Sequence, residues 1–170
     1  MALKEIDIST LNFNPFTLID DSWFLITAGN EKAYNTMTAS WGHMGNIWGK
    51  KRYTFNAYVR PQRYTKKFMD SNEFYTICFF DKKYQKDLAY LGSHSGKDED
   101  KVKKTYLSPI HTEDYTYFKE AKYVFICKKI YQAPIKEEYF KDEKVLEEAY
   151  PLRDFHDMYV GEIIKVLADE

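Results

Sequence analysis

Stretches rich in β-branched and aromatic residues recur along the chain between polar turns, a pattern typical of β-strands. In Tyr53 to Val59, apolar and polar side chains alternate with period two, so one face of that strand is expected to be buried. A turn at Gly29 to Lys32 predicts a hairpin between the first two strands. Six strands are predicted: Ser22 to Thr27, Tyr34 to Trp41, Tyr53 to Val59, Glu73 to Phe80, Lys122 to Tyr131 and Met158 to Leu167.

Three shorter stretches predict helical structure between these strands. Pro61 to Asp70 opens with proline, which a first helical turn tolerates. Lys83 to Leu91 stops at Gly92, a suitable helix end, and Asp98 to Lys104 has the length of a single turn. Because strands and helices do not alternate regularly, the expected fold is mostly β, a barrel rather than a doubly wound sheet.

The composition is that of one globular domain spanning residues 1–170, with 44% hydrophobic and 30% charged residues. Both cysteines, Cys78 and Cys127, lie in apolar runs and are expected to be small core residues. The cysteines and the four histidines lack metal-ligand spacing, so no metal site is predicted. The charged start of the chain and the absence of a long apolar run predict a cytoplasmic protein without a signal peptide or membrane span.

Charge is unevenly distributed along the chain. The net charge of −1 argues against a general nucleic-acid binder. The stretch from Lys32 to Met69, however, contains eight basic residues and no acidic one. A local positive field in a near-neutral protein favours one anionic ligand over a long polyanion, while the cluster Lys50 to Arg52 is better explained as a solvated face.

Three segments carry candidate chemistry. Asn35 to Trp41 is a hydroxyl-rich strand running into a glycine-rich loop, and its end suits a planar ring, with Trp41 or Trp48 as a flat wall. The alternative for this strand is a half-exposed sheet face. Arg60 to Thr65 brings two of the four arginines to a predicted helix start, where they either bind phosphate or pair with carboxylates.

The third segment, Ser93 to Lys101, combines hydroxyls, a glycine and lysines in one loop. Such a loop either forms an anion-binding nest, with Lys97 as a point charge, or is an ordinary polar turn. The spacings GxxxxGK[ST], GxSxG and GxGxxG are all absent. Nucleotide triphosphate hydrolysis and a nucleophile-elbow hydrolase are therefore not supported, and a nicotinamide cofactor would have to bind without a Rossmann fold.

Taken in order and spacing, these segments resemble the flavin reductase-like family, and within it the flavoredoxins. The segments that carry the likeness are Asn35 to Gly42, Tyr58 to Thr65, Leu91 to Lys101 and His156 to Glu162. The resemblance is clearest over residues 21–167 and is poor over Met1 to Phe16 and Pro134 to Arg153.

The resemblance implies an FMN-binding split β-barrel with Greek-key-like topology, usually a homodimer, that takes hydride from NADH or NADPH onto the flavin and passes electrons to an acceptor. FAD-using members exist, so FAD is a second candidate cofactor. No catalytic side chain is implied, because the flavin carries the chemistry. By the same resemblance, the isoalloxazine is lined by Met37, Thr38, Ala39, Ser40 and Trp41, the phosphate lies toward Arg60, Tyr64, Thr65, Ser95 and Lys97, and His156 lies near the flavin or supports its pocket.

Two other functions remain open at this point. One is an FMN electron carrier reduced by a redox protein partner instead of a nicotinamide. The other is a single-stranded nucleic-acid binding module of the OB type, against which the net charge counts. The 3 Trp, 15 Tyr and 12 Phe exceed what a small barrel interior readily holds, which independently favours a homodimer.

Overall fold

The computed structural model describes residues 2–169, whose strands form an eight-stranded antiparallel sheet and a separate two-stranded hairpin. The strands are β1 (Leu3–Ile6), β2 (Phe24–Gly29), β3 (Tyr34–Ala39), β4 (Gly42–Asn46), β5 (Tyr53–Val59), β6 (Phe74–Phe79), β7 (Pro109–His111), β8 (Thr116–Phe118), β9 (Tyr123–Pro134) and β10 (Asp157–Asp169). The large sheet has the order β3-β2-β6-β9-β10-β5-β4, with β1 also paired to β10, and β7 pairs with β8.

Strand β10 organises this sheet because it has different neighbours along its length. On one side it pairs with β9 from Asp157 to Ala168, and on the other it pairs first with β5 and then with β1. The β9 pairing shifts register between Val160 and Gly161 and again between Ile163 and Lys165. Such irregularities bend a strand and increase its twist, so the long pair can curl.

Four phenylalanines from β2, β5, β6 and β9 pack against one another in the core of the large sheet. Phe24 on β2 lies 5.3 Å, ring centre to ring centre, from Phe55 on β5 and 5.3 Å from Phe79 on β6. Phe55 also lies 6.0 Å from Phe125 on β9. All four rings are buried. Because β2 and β5 are separated by three strands in the sheet order, their contact means that the sheet folds over onto itself around this core.

Two of the four α-helices pack against β2 and β3. The α-helices are α1 (Pro15–Ser22), α2 (Thr65–Ser71), α3 (Gln85–Ser93) and α4 (Glu143–Ala149). Helix α1 begins where the Asn14 side chain accepts a hydrogen bond from the Phe16 N–H at 3.0 Å, with proline in the first turn. Helix α3 packs on β3, where the Thr38 hydroxyl donates to the Leu88 carbonyl at 2.5 Å. Leu88 and Leu91 of α3 belong to a second core that includes Leu25 and Cys78.

All six predicted strands exist, and the predicted hairpin is β2 and β3, closed by a hydrogen bond from the Asn30 N–H to the Ala33 carbonyl at 3.0 Å. The first strand was predicted two residues too early, because Ser22 ends α1 and the strand starts at Phe24, and the strand predicted to end at Tyr131 continues to Pro134. The segment after Trp41 was expected to be a loop, which was wrong: it contains β4, stabilised by its pairing with β5. The sequence analysis did not predict the remaining elements, which are β1, β7, β8, α1 and α4.

Two helix predictions also need correction. The helix expected to start at Pro61 begins at Thr65, because successive turns place the Arg63 N–H on the Arg60 carbonyl and the Lys66 N–H on the Arg63 carbonyl. Gly92 does not end α3 but lies within it, since the helix continues until the His94 N–H reaches the Tyr90 carbonyl. The predicted turn at Asp98 to Lys104 is a 3₁₀ turn at Lys101–Lys104.

Both cysteines are buried and unpaired, and burial raises the pKa of the Cys78 thiol to about 12. This confirms that Cys78 and Cys127 are core residues. The side chains of the cluster Lys50 to Arg52 are exposed, as expected. Within residues 2–169, no helix combines the length and apolar character needed to cross a membrane.

Gly161 is required by the packing of one buried tyrosine. The Tyr75 hydroxyl, on β6, donates to the Phe55 carbonyl at 2.5 Å and lies 3.2 Å from the Tyr159 carbonyl. A Cβ atom at residue 161 would overlap this hydroxyl and lie 2.7 Å from the Cβ of Cys127. The hydroxyl therefore occupies the space that a side chain at this position would fill.

We expect Gly161→Ala to lower the free energy of unfolding by about 1 to 3 kcal/mol, because the added methyl group overpacks the core and displaces the tyrosine. Urea unfolding followed by circular dichroism measures this change. Gly45→Ala, on β4, is the matched control, because a Cβ there meets no atom within 4 Å. Equal stabilities of the two variants would contradict the packing role of Gly161.

Candidate functional site

Two adjoining cavities lie beside the end of β3. We call the first the strand cavity; its volume is about 170 Å³. It is lined by Met37, Thr38, Ala39, Ser40, Trp41, Tyr58, Arg60, Arg63 and His156. We call the second the loop cavity; its volume is about 360 Å³. It is lined by Asn35, Met37, Arg60, Gln62, Arg63, Tyr64, Ser93, His94, Ser95, Gly96, Lys101 and Asp154. Because Met37, Arg60 and Arg63 line both, the two cavities form one continuous site.

The wall of the strand cavity is the outer edge of β3 and the turn that follows it. Strand β3 is the terminal strand of the sheet order and pairs only with β2 in the described part of the sheet. Its backbone from Thr38 to Ser40 is therefore not used in a second strand pairing. Free backbone N–H and C=O groups beside a cavity are suited to hydrogen-bond a polar, planar ligand.

Trp41 and His156 form the aromatic side of the strand cavity. Their ring centres are 5.1 Å apart, and Trp41 is 48% exposed while His156 is buried. The Arg60 guanidinium carbon lies 5.8 Å from the Trp41 ring centre and 5.0 Å from that of Tyr150. A flat apolar wall next to a cation and a histidine can hold an aromatic ring system by stacking.

Arg60 is held in place by the chain that precedes β10. Its Nη1 donates to Asp154 Oδ1 at 2.7 Å, and its Nη2 donates to the Ala149 carbonyl at 3.1 Å. Gln62 Nε2 donates to the other oxygen of the same carboxylate at 2.7 Å. Of the two roles that the sequence left open for Arg60, the structure therefore shows the carboxylate pair.

His156 is a neutral imidazole in this setting. Its Nδ1 lies 2.7 Å from the Tyr150 hydroxyl. Burial, together with the positive charges of Arg60 and Arg63, lowers the pKa of His156 to about 4. At neutral pH the strand cavity therefore contains an uncharged histidine.

The loop cavity is formed by the close approach of Ser93–Gly96 to β3. A Cβ atom at Gly96 would overlap Oδ1 of Asn35 and lie 3.1 Å from its Cγ, so only glycine lets the loop come this near. Asn35 in turn donates to the Thr65 hydroxyl at 2.8 Å, which ties β3 to the start of α2. The Ser95 hydroxyl accepts a hydrogen bond from the Lys97 N–H at 3.2 Å, which forms the next turn of the loop.

Two cations of the loop cavity have no carboxylate partner. Arg63 Nη1 donates to the Gly92 carbonyl at 2.9 Å, and Lys101 Nζ donates to the carbonyls of Leu91 at 2.6 Å and His94 at 2.9 Å. Among residues 2–169, neither side chain forms an ion pair.

Lys101 is only 4% exposed, and burial together with the charge of Arg63 lowers its pKa to about 8, although the nearby Glu99 carboxylate, which forms no ion pair with it, acts in the opposite direction. A buried ammonium that lacks a counter-ion is costly unless an anion joins it. The charge balance of the loop cavity therefore favours an anionic group, such as a phosphate monoester.

Nine of the eleven residues predicted from the sequence meet at this site. The strand cavity contains Met37, Thr38, Ala39, Ser40, Trp41, Arg60 and His156, and the loop cavity contains Tyr64 and Ser95.

Thr65 and Lys97 lie elsewhere. Thr65 is 1% exposed beneath the site, where its hydroxyl accepts from Asn35. Lys97 lines a neighbouring concavity that is rich in carboxylates, because the loop turns away after Gly96.

Four functional candidates lie outside the eleven predicted site residues, although the sequence had left a phosphate-binding role open for Arg63. Arg63 stood beside Arg60 in the same motif, and Lys101 was the last residue of the loop segment, so both lay within recognised patterns. Tyr58 lies on the less buried face of β5, as the alternation in that strand indicates. Asp154 lies in a segment without any recognisable pattern, and its pairing with Arg60 across 94 positions had no sequence signal. The described residues contain no group of three or more side chains suited to hold a metal ion.

Comparison with solved structures identifies the architecture. The chain resembles an FMN-binding domain of a flavin reductases-like enzyme from Shewanella baltica, with a TM-score of 0.68 at 15% identity over 98% of this chain and 77% of that one. It also resembles the flavoredoxin of Desulfovibrio vulgaris (Miyazaki F), with a TM-score of 0.66 at 23% identity over 87% of this chain and 69% of that one. A third similar structure is the NADH:FAD oxidoreductase of Streptomyces globisporus in complex with NAD and FAD fragments. Its TM-score is 0.63 at 12% identity, covering 87% of this chain and 74% of that one.

No family model matches the sequence, and no curated protein matches it either. The structural likenesses confirm the predicted fold, a mostly β split barrel of the flavin reductase-like type with a few short helices. At these identities they describe the architecture alone. The function has to be argued from the residues of the site.

Proposed function

We propose that this chain is a flavoprotein oxidoreductase that binds FMN in the strand and loop cavities. The observation that carries the proposal is the buried, unpaired Lys101 beside Arg63, next to a cavity with an aromatic wall. FMN combines one planar ring system with one phosphate monoester, and the site offers one place for each. The fold shared with FMN-binding and flavin reductase structures supports the same ligand.

In this proposal the ring system lies in the strand cavity against Met37 to Trp41, and the phosphate lies in the loop cavity. Arg63 and Lys101 would hold the phosphate, with the Ser95 hydroxyl as a further donor. Arg60 would act mainly by fixing the position of Asp154 and the chain around it. Bound flavin supplies the redox chemistry, accepting hydride from NADH or NADPH and passing electrons to an acceptor.

The protein's own groups would bind and orient the ring. Backbone donors at the edge of β3 suit the polar rim of the isoalloxazine and stabilise negative charge that develops there on reduction. Trp41 covers the ring on its exposed side and excludes water from part of it. Because the flavin accepts the hydride, the site needs no nucleophile or pair of catalytic carboxylates, in line with the absence of such motifs.

FMN fits this site better than FAD. The concavity next to the loop cavity is lined by the carboxylates of Glu31, Asp98, Glu99 and Asp100, with Lys32 and Lys97 as the added cations. It adjoins the loop cavity through Asn35, Gly96 and Lys101. The second phosphate of FAD would extend from the loop cavity toward these carboxylates, where like charges repel.

The purified protein is expected to bind FMN stoichiometrically and to show a flavin absorption spectrum, and NADH or NADPH is expected to bleach it in anaerobic stopped-flow mixing. Absence of FMN binding would contradict the proposal as a whole. Binding without nicotinamide-driven bleaching would instead favour the FMN electron carrier reduced by a protein donor.

Lys101→Gln is expected to weaken FMN binding by about 10- to 100-fold, the cost of one charge-assisted hydrogen bond of roughly 1.5 to 3 kcal/mol. The wild-type affinity is also expected to fall as the pH rises above about 8, the pKa of Lys101, because the neutral amine no longer attracts the phosphate. The fall is at most about tenfold per pH unit. Fluorescence titration between pH 7 and 9.5 measures both effects.

Two controls separate a phosphate contact from a general loss of structure. Riboflavin lacks the phosphate, so its affinity is expected to be nearly independent of pH and of the substitution. Lys103→Gln removes an exposed lysine that pairs with Asp100 and leaves Lys101 in place. Equal losses for FMN and riboflavin in Lys101→Gln would refute the phosphate contact.

We also propose that the protein is a homodimer. Strand β4 is an edge of the sheet, and it is followed by the exposed side chains of Ile47 and Trp48, with Trp48 packed 5.6 Å from the half-exposed Tyr131 ring. An apolar edge of this kind favours association with a second copy. Light scattering at micromolar concentration is expected to give the mass of two chains, and the mass of one chain would contradict this.

A further inference from the structure

The chain between β9 and β10 carries a buried tyrosine into contact with the site. Residues 135–156 include α4, and Tyr150 follows the end of that helix with 3% of its surface exposed. Its ring packs 4.7 Å from that of Phe155 and 5.9 Å from that of Phe140. These contacts fix the ring, so its hydroxyl has a defined position 2.7 Å from His156 Nδ1.

The surroundings of the phenol determine which partner donates in this hydrogen bond. Burial raises the pKa of the Tyr150 hydroxyl, while the nearby backbone N–H of His156 and the charge of Arg60 act in the opposite direction. The phenol therefore keeps its proton at neutral pH, and among residues 2–169 His156 Nδ1 is the only hydrogen-bond partner of this buried hydroxyl. In this arrangement the hydroxyl donates to Nδ1, which requires Nδ1 to be the unprotonated nitrogen.

A neutral imidazole with an unprotonated Nδ1 carries its proton on Nε2. Nε2 has no hydrogen-bond partner among residues 2–169, and it is not one of the buried side-chain atoms left without a partner. It is therefore accessible, and the cavity that His156 lines is the strand cavity. The charged groups around this imidazole are Arg60, Arg63 and Asp154.

We propose that Tyr150 is a positioning residue that holds His156 as the Nε2–H tautomer, so that the strand cavity presents one neutral N–H donor to a carbonyl oxygen or ring nitrogen of its ligand. The inference rests on the proposed function for the identity of that ligand, the flavin ring system. A neutral donor suits this place, because a charged imidazolium would be repelled by Arg60 and Arg63. Such a donor would also stabilise a ligand atom whose negative charge grows on reduction.

Nitrogen-detected NMR of the full chain labelled at histidine tests the proposal directly, with and without added FMN. The wild-type protein is expected to show His156 almost entirely as the Nε2–H tautomer before any ligand is added. In Tyr150→Phe, which keeps the ring packing and removes only the hydroxyl, a mixture of tautomers is expected. The pKa of His156 is expected to rise in this variant, because the hydrogen bond that favours its neutral form is gone.

Tyr139→Phe is the matched control, since Tyr139 lies in the same segment but is exposed. It is expected to leave the tautomer and the pKa of His156 unchanged. In binding assays, Tyr150→Phe is expected to weaken FMN and riboflavin alike, by about 3- to 10-fold, because the lost orientation concerns the ring and not the phosphate.

Two results would overturn the proposal: an Nδ1–H tautomer in the wild type, or a tautomer unchanged in Tyr150→Phe. The first of these results is measured on the wild-type protein, so the proposal can be tested even if the substitution at Tyr150 impairs folding. The ligand-free spectra also separate this inference from the proposed function. A protein that binds no FMN but shows the Nε2–H tautomer refutes the flavin assignment and leaves the role of Tyr150 standing.

Discussion

The contact between Phe24 and Phe55 joins the two sides of the curled sheet, and the position of the candidate site depends on it. These residues belong to strands at separate places in the sheet, and their rings meet only because the sheet curls around Phe79 and Phe125. Burial of large apolar rings is the dominant favourable contribution to such folding. Once the sheet is curled, the end of β3 and the end of β5 face the same space, and the strand cavity lies between them.

Electrostatics then distinguish the two parts of the site. Arg60 is paired with Asp154 and serves to hold the chain before β10, and the histidine of the strand cavity is neutral. In the loop cavity, Arg63 and Lys101 lack acidic partners in the described chain, and burial makes this imbalance costly for Lys101. The aromatic wall of the strand cavity next to the cationic loop cavity suits a ligand with a ring at one end and a phosphate at the other.

The chain from residue 135 to 156 is the part that gives this site its individual character. It contributes Asp154 as the partner of Arg60, and it contributes Tyr150, whose hydroxyl reaches His156. Arg60 also donates to the Ala149 carbonyl, so the segment is fixed to the sheet beside the cavity. Most of this segment belongs to Pro134 to Arg153, one of the two stretches in which the sequence resembles the flavin reductase-like family poorly.

Local pattern was sufficient to determine the class of fold and most of the site. Strand composition predicted β2, β3, β5, β6, β9 and β10, because side-chain periodicity and β-branched residues act within one strand. Nine of the eleven site residues implied by the family resemblance line the two cavities, and all of these except His156 lie in the three segments whose composition had already marked them as candidates.

The remaining features, which are strand β4, the ion pairing of the site and the burial of Lys101, depend on the tertiary structure. Strand β4 exists because β5 lies beside it, and Gly42 to Asn46 has too little strand character to be recognised alone. Arg60 is paired because Asp154, 94 positions away in the sequence, lies beside it in the fold. Lys101 is buried against the end of α3, where it donates a hydrogen bond to the Leu91 carbonyl. Pairings across such distances leave no trace in local sequence, because they are set by which surfaces meet when the sheet closes.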